Sequence, residues 1–365
     1  MVQEKIAGLI VAAGMSSRMK NFKPLMPLYG KPILQNSIEN LRAGGAQDIL
    51  VVLGNRAQEV IPLLNKLGVH FAINEKYQTT DMLVSVQLGL ECLQGSFDAV
   101  FFLPGDVPLF MPHSLRAMQK KIKQDVSYVK PCYKGESGHP VLIRSVCFDH
   151  ILGYNGPDGL KGALCSCPGE VEHLELPDPG ILLDADTAED YKKLHAYAQT
   201  KEIPSPDVCM EIFKWFDVEQ KTIDHGLAVA QLAGELAQKL VQAGHKLDFC
   251  LVAAGALLHD VAKNKAAHAT TGGKWLCELG YPQLGRVISA HMELPQEAIQ
   301  ALDERAIVFL ADKLVRGKQR VSIEERFSNA LHTWKDDEKA FEAVKQNMSV
   351  AQQLQERIGD IINKK

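Results

Sequence analysis

The stretch Ile6-Ala-Gly-Leu-Ile-Val-Ala-Ala-Gly-Met-Ser-Ser-Arg-Met-Lys-Asn-Phe-Lys-Pro-Leu25 decides the fold of the first half of the chain. Residues 6–13 form an apolar run, the pattern of a strand buried on both faces of a parallel sheet. Gly14 stops the run, and the small serines beyond it let a backbone turn bring free N–H groups close to an anion. Working outward, Pro32 opens a helix with Ile33, Leu34, Ile38 and Leu41 on one face, and Gly44-Gly45 ends it. Residues 48–54 read as strand, 56–67 as helix, 69–74 as strand and 82–93 as helix. Residues 99–103 read as a strand running into Pro104-Gly105-Asp106. Such alternation predicts an α/β domain with a mainly parallel sheet over residues 1–198. Ligands of these sheets collect at the carboxyl ends of strands, so Gly14 and Asp106 are expected at one crevice.

From about residue 208 strand patterns stop. Residues 222–243, 248–261, 272–279, 282–291, 296–315 and 336–362 all carry helical periodicity, predicting an all-α bundle over 208–365. Residues 199–207, with Pro204 and Pro206, read as the linker. In the last helix Phe341, Val344, Met348, Ala351, Leu354 and Ile358 share a face, expected to pack on its own bundle.

A length of 365 residues agrees with two domains or three, and 46% hydrophobic with 23% charged residues excludes a disordered chain. Residues 1–200 hold 19 basic and 21 acidic side chains, and the whole chain 40 and 44, so no basic domain exists to grip nucleic acid. No apolar run approaches the ~20 residues that span a bilayer, so no membrane partner is expected. Eight scattered cysteines without C-x-x-C read as reduced thiols, and the expectation is a soluble cytoplasmic protein.

Arg18 and Lys23 place two cations beside the Gly14 turn, and a triphosphate needs both backbone dipoles and cations. Neither G-x-x-x-x-G-K-[ST] nor G-x-G-x-x-G is present. Asp106, after Pro-Gly, lies at a strand end. Asp184 and Asp186 read either as partners of Asp106 or as caps of a helix starting near Thr187.

Residues 9–34 resemble the opening signature of the molybdopterin nucleotidyltransferase-like (MobA-like) NTP transferases, and the resemblance extends over residues 5–195. Leu103-Pro-Gly-Asp-Val-Pro-Leu109, Gly138-His-Pro-Val-Leu142 and Leu183-Asp-Ala-Asp-Thr-Ala-Glu-Asp190 are similar to later motifs of that family. The resemblance implies a Rossmann-like nucleotidyltransferase fold. It implies nucleotide binding by Ala12, Ala13, Gly14, Ser16, Ser17, Arg18 and Lys23, with Ser85 and Gly89 near base and ribose. Mg²⁺ is expected on Asp106, completed by Asp184 or Asp186, since magnesium needs only one or two carboxylates. Lys23 would stabilise the α-phosphate under attack and Arg18 the departing pyrophosphate. His139 is expected near the acceptor. Ala-Ala-Gly at 12–14 resembles the cytidylyl branch, so CTP is the expected donor and a small phosphorylated molecule the acceptor. Thr80-Asp81-Met82 departs from the Gly-Met pattern of molybdopterin cytidylyltransferases. The acceptor therefore stays open between molybdopterin, a sugar phosphate and an amino-alcohol phosphate.

In the second half, His259-Asp260 closes the apolar run 251–258, His225 lies 34 residues before His259, and Asp312 lies 52 after Asp260. Imidazole and carboxylate suit Mn, Fe, Zn, Co or Ni, and separate helices can converge them on one ion. Ionisable groups among apolar neighbours need such a reason. The order His…His-Asp…Asp resembles the HD-domain metal-dependent phosphohydrolases over residues 210–325. That likeness implies His225, His259, Asp260 and Asp312 as ligands, Asp260 as a bridge, and His268 and His291 as ligands of a second metal. Met292 stands where many relatives carry another histidine. Lys263, Lys313 and Arg316 are the expected phosphate-holding cations, Lys263 among the catalytic set. His245, in Ala-Gly-His-Lys, is expected to be solvated. The whole reads as a bifunctional transferase and hydrolase. The alternative is a nucleotide-binding sensor whose HD module is regulatory and non-catalytic. The sequence leaves the oligomeric state open.

Overall fold

The computed structural model describes residues 4–14 and 22–363, and the chain divides into two compact units, Met1–Lys201 and Glu202–Lys365. In the first, strand Ile6–Ala12 is buried at all seven positions. It pairs in parallel with Asp48–Leu53 on one side and Ala99–Pro104 on the other. His70–Ile73 extends the sheet beyond Asp48–Leu53, again in parallel. Beyond Ala99–Pro104, strand Val141–Arg144 runs antiparallel to both its neighbours, then Val126–Tyr133 and Glu170–Glu175 close the sheet as a parallel pair. The sheet is thus mainly parallel, with Val141–Arg144 and the two-residue strand Glu136–Ser137 reversed, which no period in the sequence announced.

Helix Met82–Leu93 lies flush on this sheet. Asp81 caps it by accepting from Val84 N at 3.3 Å. A Cβ on Gly89 would sit 2.3 Å from Leu9 Cδ1. Gly89 therefore serves helix–sheet packing. The close approach also brings Ser85, one turn earlier, to the carboxyl end of the strands.

Helix Ala188–Thr200 ends the first unit and Pro206–Trp215 opens the second, so the expected linker 199–207 overlaps a helix at each end. The second unit is helical except for a two-residue hairpin, Val315–Arg316 with Gln319–Arg320, a departure from the all-α expectation. The expected helix 296–315 is two helices, Gln296–Ala301 and Glu304–Lys313. Leu302 turns left-handed (φ 54°) and Asp303 caps the next helix through Arg305 N. His245 Nε2 donates to the Leu302 carbonyl at 2.9 Å, so this half-buried ring is a tie to that break, not a solvated side chain. The last helix, Glu338–Asn363, buries Val350, Ala351, Leu354 and Ile358 within its own unit.

Two close approaches build the bundle's centre. A Cβ on Gly226 would stand 2.3 Å from Leu257 O, so helices Gln220–Gln242 and Phe249–Leu258 cross backbone to backbone, beside His225 and His259. Gly273 and Gly285 meet likewise, with a Cβ on Gly285 only 2.6 Å from Gly273 O. That contact joins helix His268–Glu278, which His268 begins, to helix Pro282–Ser289, which His291 follows two residues on.

Candidate functional site

In the α/β unit a cleft of about 290 Å³ opens at the carboxyl ends of the central strands. Ala12, Ala13, Gly14, Lys23, Ser85, Asp106 and Asp186 line it. Lys23 begins the short 3-10 turn Lys23–Leu25 and reaches between two carboxylates, 2.9 Å from Asp106 Oδ2 and 2.7 Å from Asp186 Oδ1. Burial works against its charge, but Asp186 and Asp106 outweigh burial and hold the ammonium above the usual lysine range. The acidic segment is tied to the strand end because Ala185 N donates to Asp106 O at 3.1 Å. Thr187, not Asp184 or Asp186, caps helix Ala188–Thr200. Asp184 Oδ1 instead accepts from Asp186 N, and burial with the charges of Asp186 and Asp106 pushes its carboxyl up. Asp184 does not line the cleft. Ser16, Ser17 and Arg18 lie outside the described residues.

His139 stands beside the cleft and is not a lining residue. Its backbone N donates to Ile181 O at 2.9 Å and its ring meets Phe102 edge-on at 5.8 Å. Burial pushes its pKa down to about 4 against the pull of Asp106. Behind two lining residues, Thr80 and Ser85, stands a residue the motifs did not single out. Buried Asn74 accepts from Lys76 N at 2.9 Å, which identifies its oxygen and turns its amide nitrogen toward Thr80 Oγ1 (3.1 Å) and Ser85 Oγ (3.0 Å). Ser85 is thereby an acceptor toward Asn74, which leaves its proton for another partner. An asparagine at a strand end is a weak sequence signal, readable only once the strand and helix are seen to meet.

The helical unit gathers its predicted histidines and aspartates around Asp260. His225, His259 and Asp260 offer ligand atoms within 4.8 Å of one another, and so do Asp260, His268 and His291. Asp312 joins them, 3.2 Å from His225 Nε2 and 3.5 Å from His259 Nε2. The outer nitrogens are tied down. His225 Nδ1 meets Gly317 O at 2.9 Å, His259 Nδ1 meets Ala256 O at 2.8 Å, and His291 Nδ1 meets Ile288 O at 2.7 Å. A carbonyl only accepts, so each Nδ1 carries the proton and each Nε2 aims a lone pair inward in the neutral ring. His268 Nε2 and His291 Nε2 face each other at 3.2 Å.

The centre has the marks of a metal site. His259 Nε2 and Asp260 Oδ1 are buried with no hydrogen-bond partner among the described residues. Burial opposes the charge on Asp260, yet His259, His268 and His291 hold its carboxyl far below the usual range. Lys313 and the flanking imidazoles do the same for Asp312. His259 is lifted to about 9 by Asp260 and Asp312 against burial, so a proton and a dication compete for the same nitrogen. Burial lowers His291. The donor set of imidazole nitrogens and carboxylate oxygens fits a divalent transition ion.

The expected cations divide by role. Lys263 Nζ pairs with Asp260 Oδ2 at 2.7 Å. Lys313 is buried between Asp312 Oδ2 (2.7 Å) and His291 O (3.0 Å), placing rather than meeting a ligand. Arg316 turns away: its guanidinium donates to the carbonyls of Glu325 and Arg326. Its expected part in holding phosphate is corrected to a backbone clamp. Arg326, which no motif singled out, approaches Asp312 Oδ1 at 3.5 Å instead.

Residues 8–170 match the MobA-like NTP transferase domain and residues 222–317 match the HD domain. The molybdenum cofactor cytidylyltransferase of Escherichia coli (strain K12) is 27% identical over 184 residues, covering 50% of this chain and 92% of that protein. The bifunctional protein GlmU of Aquifex aeolicus (strain VF5) is 35% identical over 124 residues, covering 33% of this chain. The match spans only 26% of that relative's length. Among solved structures, a nucleotidyl transferase from Methanothermobacter thermautotroptrophicus superposes with a TM-score of 0.47 at 20% identity. It covers 54% of this chain and 99% of that one. Among the described residues no helix is long and apolar enough to cross a membrane.

Proposed function

We propose, for a chain that carries a MobA-like NTP transferase domain followed by an HD domain, two reactions on one polypeptide. The first unit transfers a nucleotidyl group, with CTP the favoured donor, to a small phosphorylated acceptor and releases pyrophosphate. The observation that carries this reading is Lys23, held between Asp106 and Asp186 in the strand-end cleft. Asp106 and Asp186 would hold Mg²⁺, with Asp184 behind them; this ion supplies charge neutralisation at the phosphates. Lys23, released from the carboxylates, would meet the α-phosphate as negative charge builds on it. Ala12, Ala13 and Gly14 present backbone to the nucleotide, and Ser85 faces it from the helix. An acceptor phosphate is its own nucleophile, so no side-chain nucleophile is required. The cytidylyltransferase relative and Ala-Ala-Gly both favour CTP.

The second unit hydrolyses a phosphoester. His225, His259, Asp260 and Asp312 would hold one divalent ion, and His268 and His291 a second that shares Asp260. Such ions supply an activated water and a clamp on phosphoryl oxygens. The chain's own part is to aim the Nε2 atoms inward, to shield the centre from solvent, and to put Lys263 at its edge. The inward lone pairs, each set by a carbonyl behind it, favour this reading over a regulatory module without chemistry.

The test is pyrophosphate release by the full chain with each of the four NTPs, Mg²⁺ and a panel of acceptors headed by molybdopterin, beside elemental analysis of bound metal. CTP-dependent release lost in Asp106→Asn is expected. Absence of turnover and of nucleotide binding in the wild type would falsify the transferase half.

A further inference from the structure

Each carboxylate of the helical centre has a cation of its own: Lys263 for Asp260 and Lys313 for Asp312, both at 2.7 Å. Arg326 is a third cation, and it is surplus. It comes from helix Ile323–Thr333, beyond the residues 222–317 that match the HD domain. Its Nη2 lies 3.5 Å from Asp312 Oδ1, an oxygen already approached by His225 and His259. That distance is too long for a strong charged pair. Its Nε is buried with no hydrogen-bond partner among the described residues. Nε and Nη2 form the side-on fork of a guanidinium, the edge that matches two oxygens of a phosphate.

The arginine is carried to this place by a built element. Ser322 and Glu325 form a reciprocal capping box at the start of its helix. Arg316 clamps the carbonyls of Glu325 and Arg326. With neutral imidazoles, three cations face two carboxylates, so the centre is positive before any metal is counted. Each divalent ion adds two more charges. Lys263 and Arg326 are 46% and 30% exposed, so an anion can reach this positive surplus, and a multiply charged anion matches it best.

We propose that the helical centre takes substrates with a terminal, dianionic phosphate, and that Arg326 grips that phosphate through Nε and Nη2. A phosphodiester carries a single charge and offers fewer anionic oxygens to the fork. Hydrolysis then joins the oxygen of water to phosphorus and breaks the P–O bond to the ester oxygen. That oxygen leaves as an alcohol with a proton, and inorganic phosphate remains. The inference rests on the reading of this unit as a phosphoester hydrolase.

The experiment uses the full chain loaded with Mn²⁺, p-nitrophenyl phosphate against bis-p-nitrophenyl phosphate, and calorimetric titration with inorganic phosphate. The wild type is expected to favour the monoester at least about tenfold in kcat/KM. Arg326→Gln should raise the monoester KM and weaken phosphate binding about tenfold or more, with metal content unchanged and a smaller loss on the diester. Arg326→Lys should fall between. Preference for the diester, or wild-type phosphate affinity in Arg326→Gln, overturns the proposal. Arg326-dependent phosphate binding in a chain that hydrolyses neither ester keeps the grip and removes the hydrolytic reading beneath it. If Arg326→Gln loses metal or unfolds, Arg326→Lys decides: metal retained with weakened phosphate supports the proposal, and wild-type phosphate affinity overturns it.

Discussion

The two centres of this chain solve the problem of holding cations in opposite ways. In the strand-end cleft the carboxylates sit on loops, Asp186 is 44% exposed, and a lysine of the same chain fills the space between them. In the helical centre His259, Asp260, His291 and Asp312 are buried, and helix crossings at Gly226 and at Gly273–Gly285 fix their backbones. The cleft can exchange a side-chain cation for a ligand's charges with little cost to the fold. The bundle has its inward nitrogens set in advance, so removing a charge there strands its buried neighbours. A transient nucleotide suits the first design, and a resident ion suits the second.

The sharpest way to break this contrast is Asp260→Asn. Both three-residue ligand groups include Asp260, so bound metal should fall to background by elemental analysis, and the melting temperature should lose its response to chelator. Full retention of metal would remove the bundle's claim to a preset site. Next in size is Lys23→Ala. Pyrophosphate release should fall about 10²–10³-fold in kcat/KM. Its melting temperature should hardly move, because the cleft is open; a large loss of stability would mean that Lys23 is a structural strut.

The third prediction concerns pH. His139 has its pKa lowered to about 4, below the 6.5 of an unperturbed histidine. The unfolded chain therefore takes up the proton first. Stability is intact above about pH 6.5 and falls as the pH drops toward 4. The 2.5-unit gap corresponds to about 3 kcal/mol. Urea unfolding at pH 7 and pH 4.5 should show this slope in the wild type and a shallower one in His139→Gln; equal slopes would discard it.

A smaller effect is expected for Gly226→Ala. Helix propensity favours alanine by about 1 kcal/mol, but a methyl 2.3 Å from Leu257 O must push two backbones apart, at about 1–3 kcal/mol. The net outcome is a modestly lower melting temperature with weakened metal binding, and a stabilised variant would contradict the backbone crossing. The smallest effect belongs to Asn74→Ala. Freed from Asn74, Ser85 should lose its fixed hydroxyl direction, and discrimination between CTP and the other triphosphates should shrink a few-fold in competition assays. Unchanged selectivity would take Asn74 out of base reading.

Much of this molecule was legible because its signals are local. An apolar run closed by Gly14, a Pro-Gly-Asp at a strand end, and His-Asp at the end of an apolar helix all declare themselves within a few residues. The family resemblance rests on those same stretches. Less legible were features that depend on what a residue meets across space. That Gly89 lets its helix lie flush on the sheet shows only when Leu9 is seen against it. Arg316 and Arg326 are both arginines near the end of the ligand series, and nothing in their neighbours says which one turns inward. The hairpin Val315–Arg316 with Gln319–Arg320 makes that choice. Likewise Asp184 and Asp186 passed equally for caps or ligands, until Thr187 took the cap.

What the sequence by itself determined is the class of each half and the residue types of each centre, because period and chemical type are properties of neighbouring residues. Tertiary structure alone decided which nitrogen of His225 is tied to the Gly317 carbonyl, which carboxylate oxygens Lys23 reaches, and which arginine keeps an unspent donor. Those choices depend on distances between segments tens of residues apart. Backbone crossings and helix caps set such distances, and no local pattern encodes them.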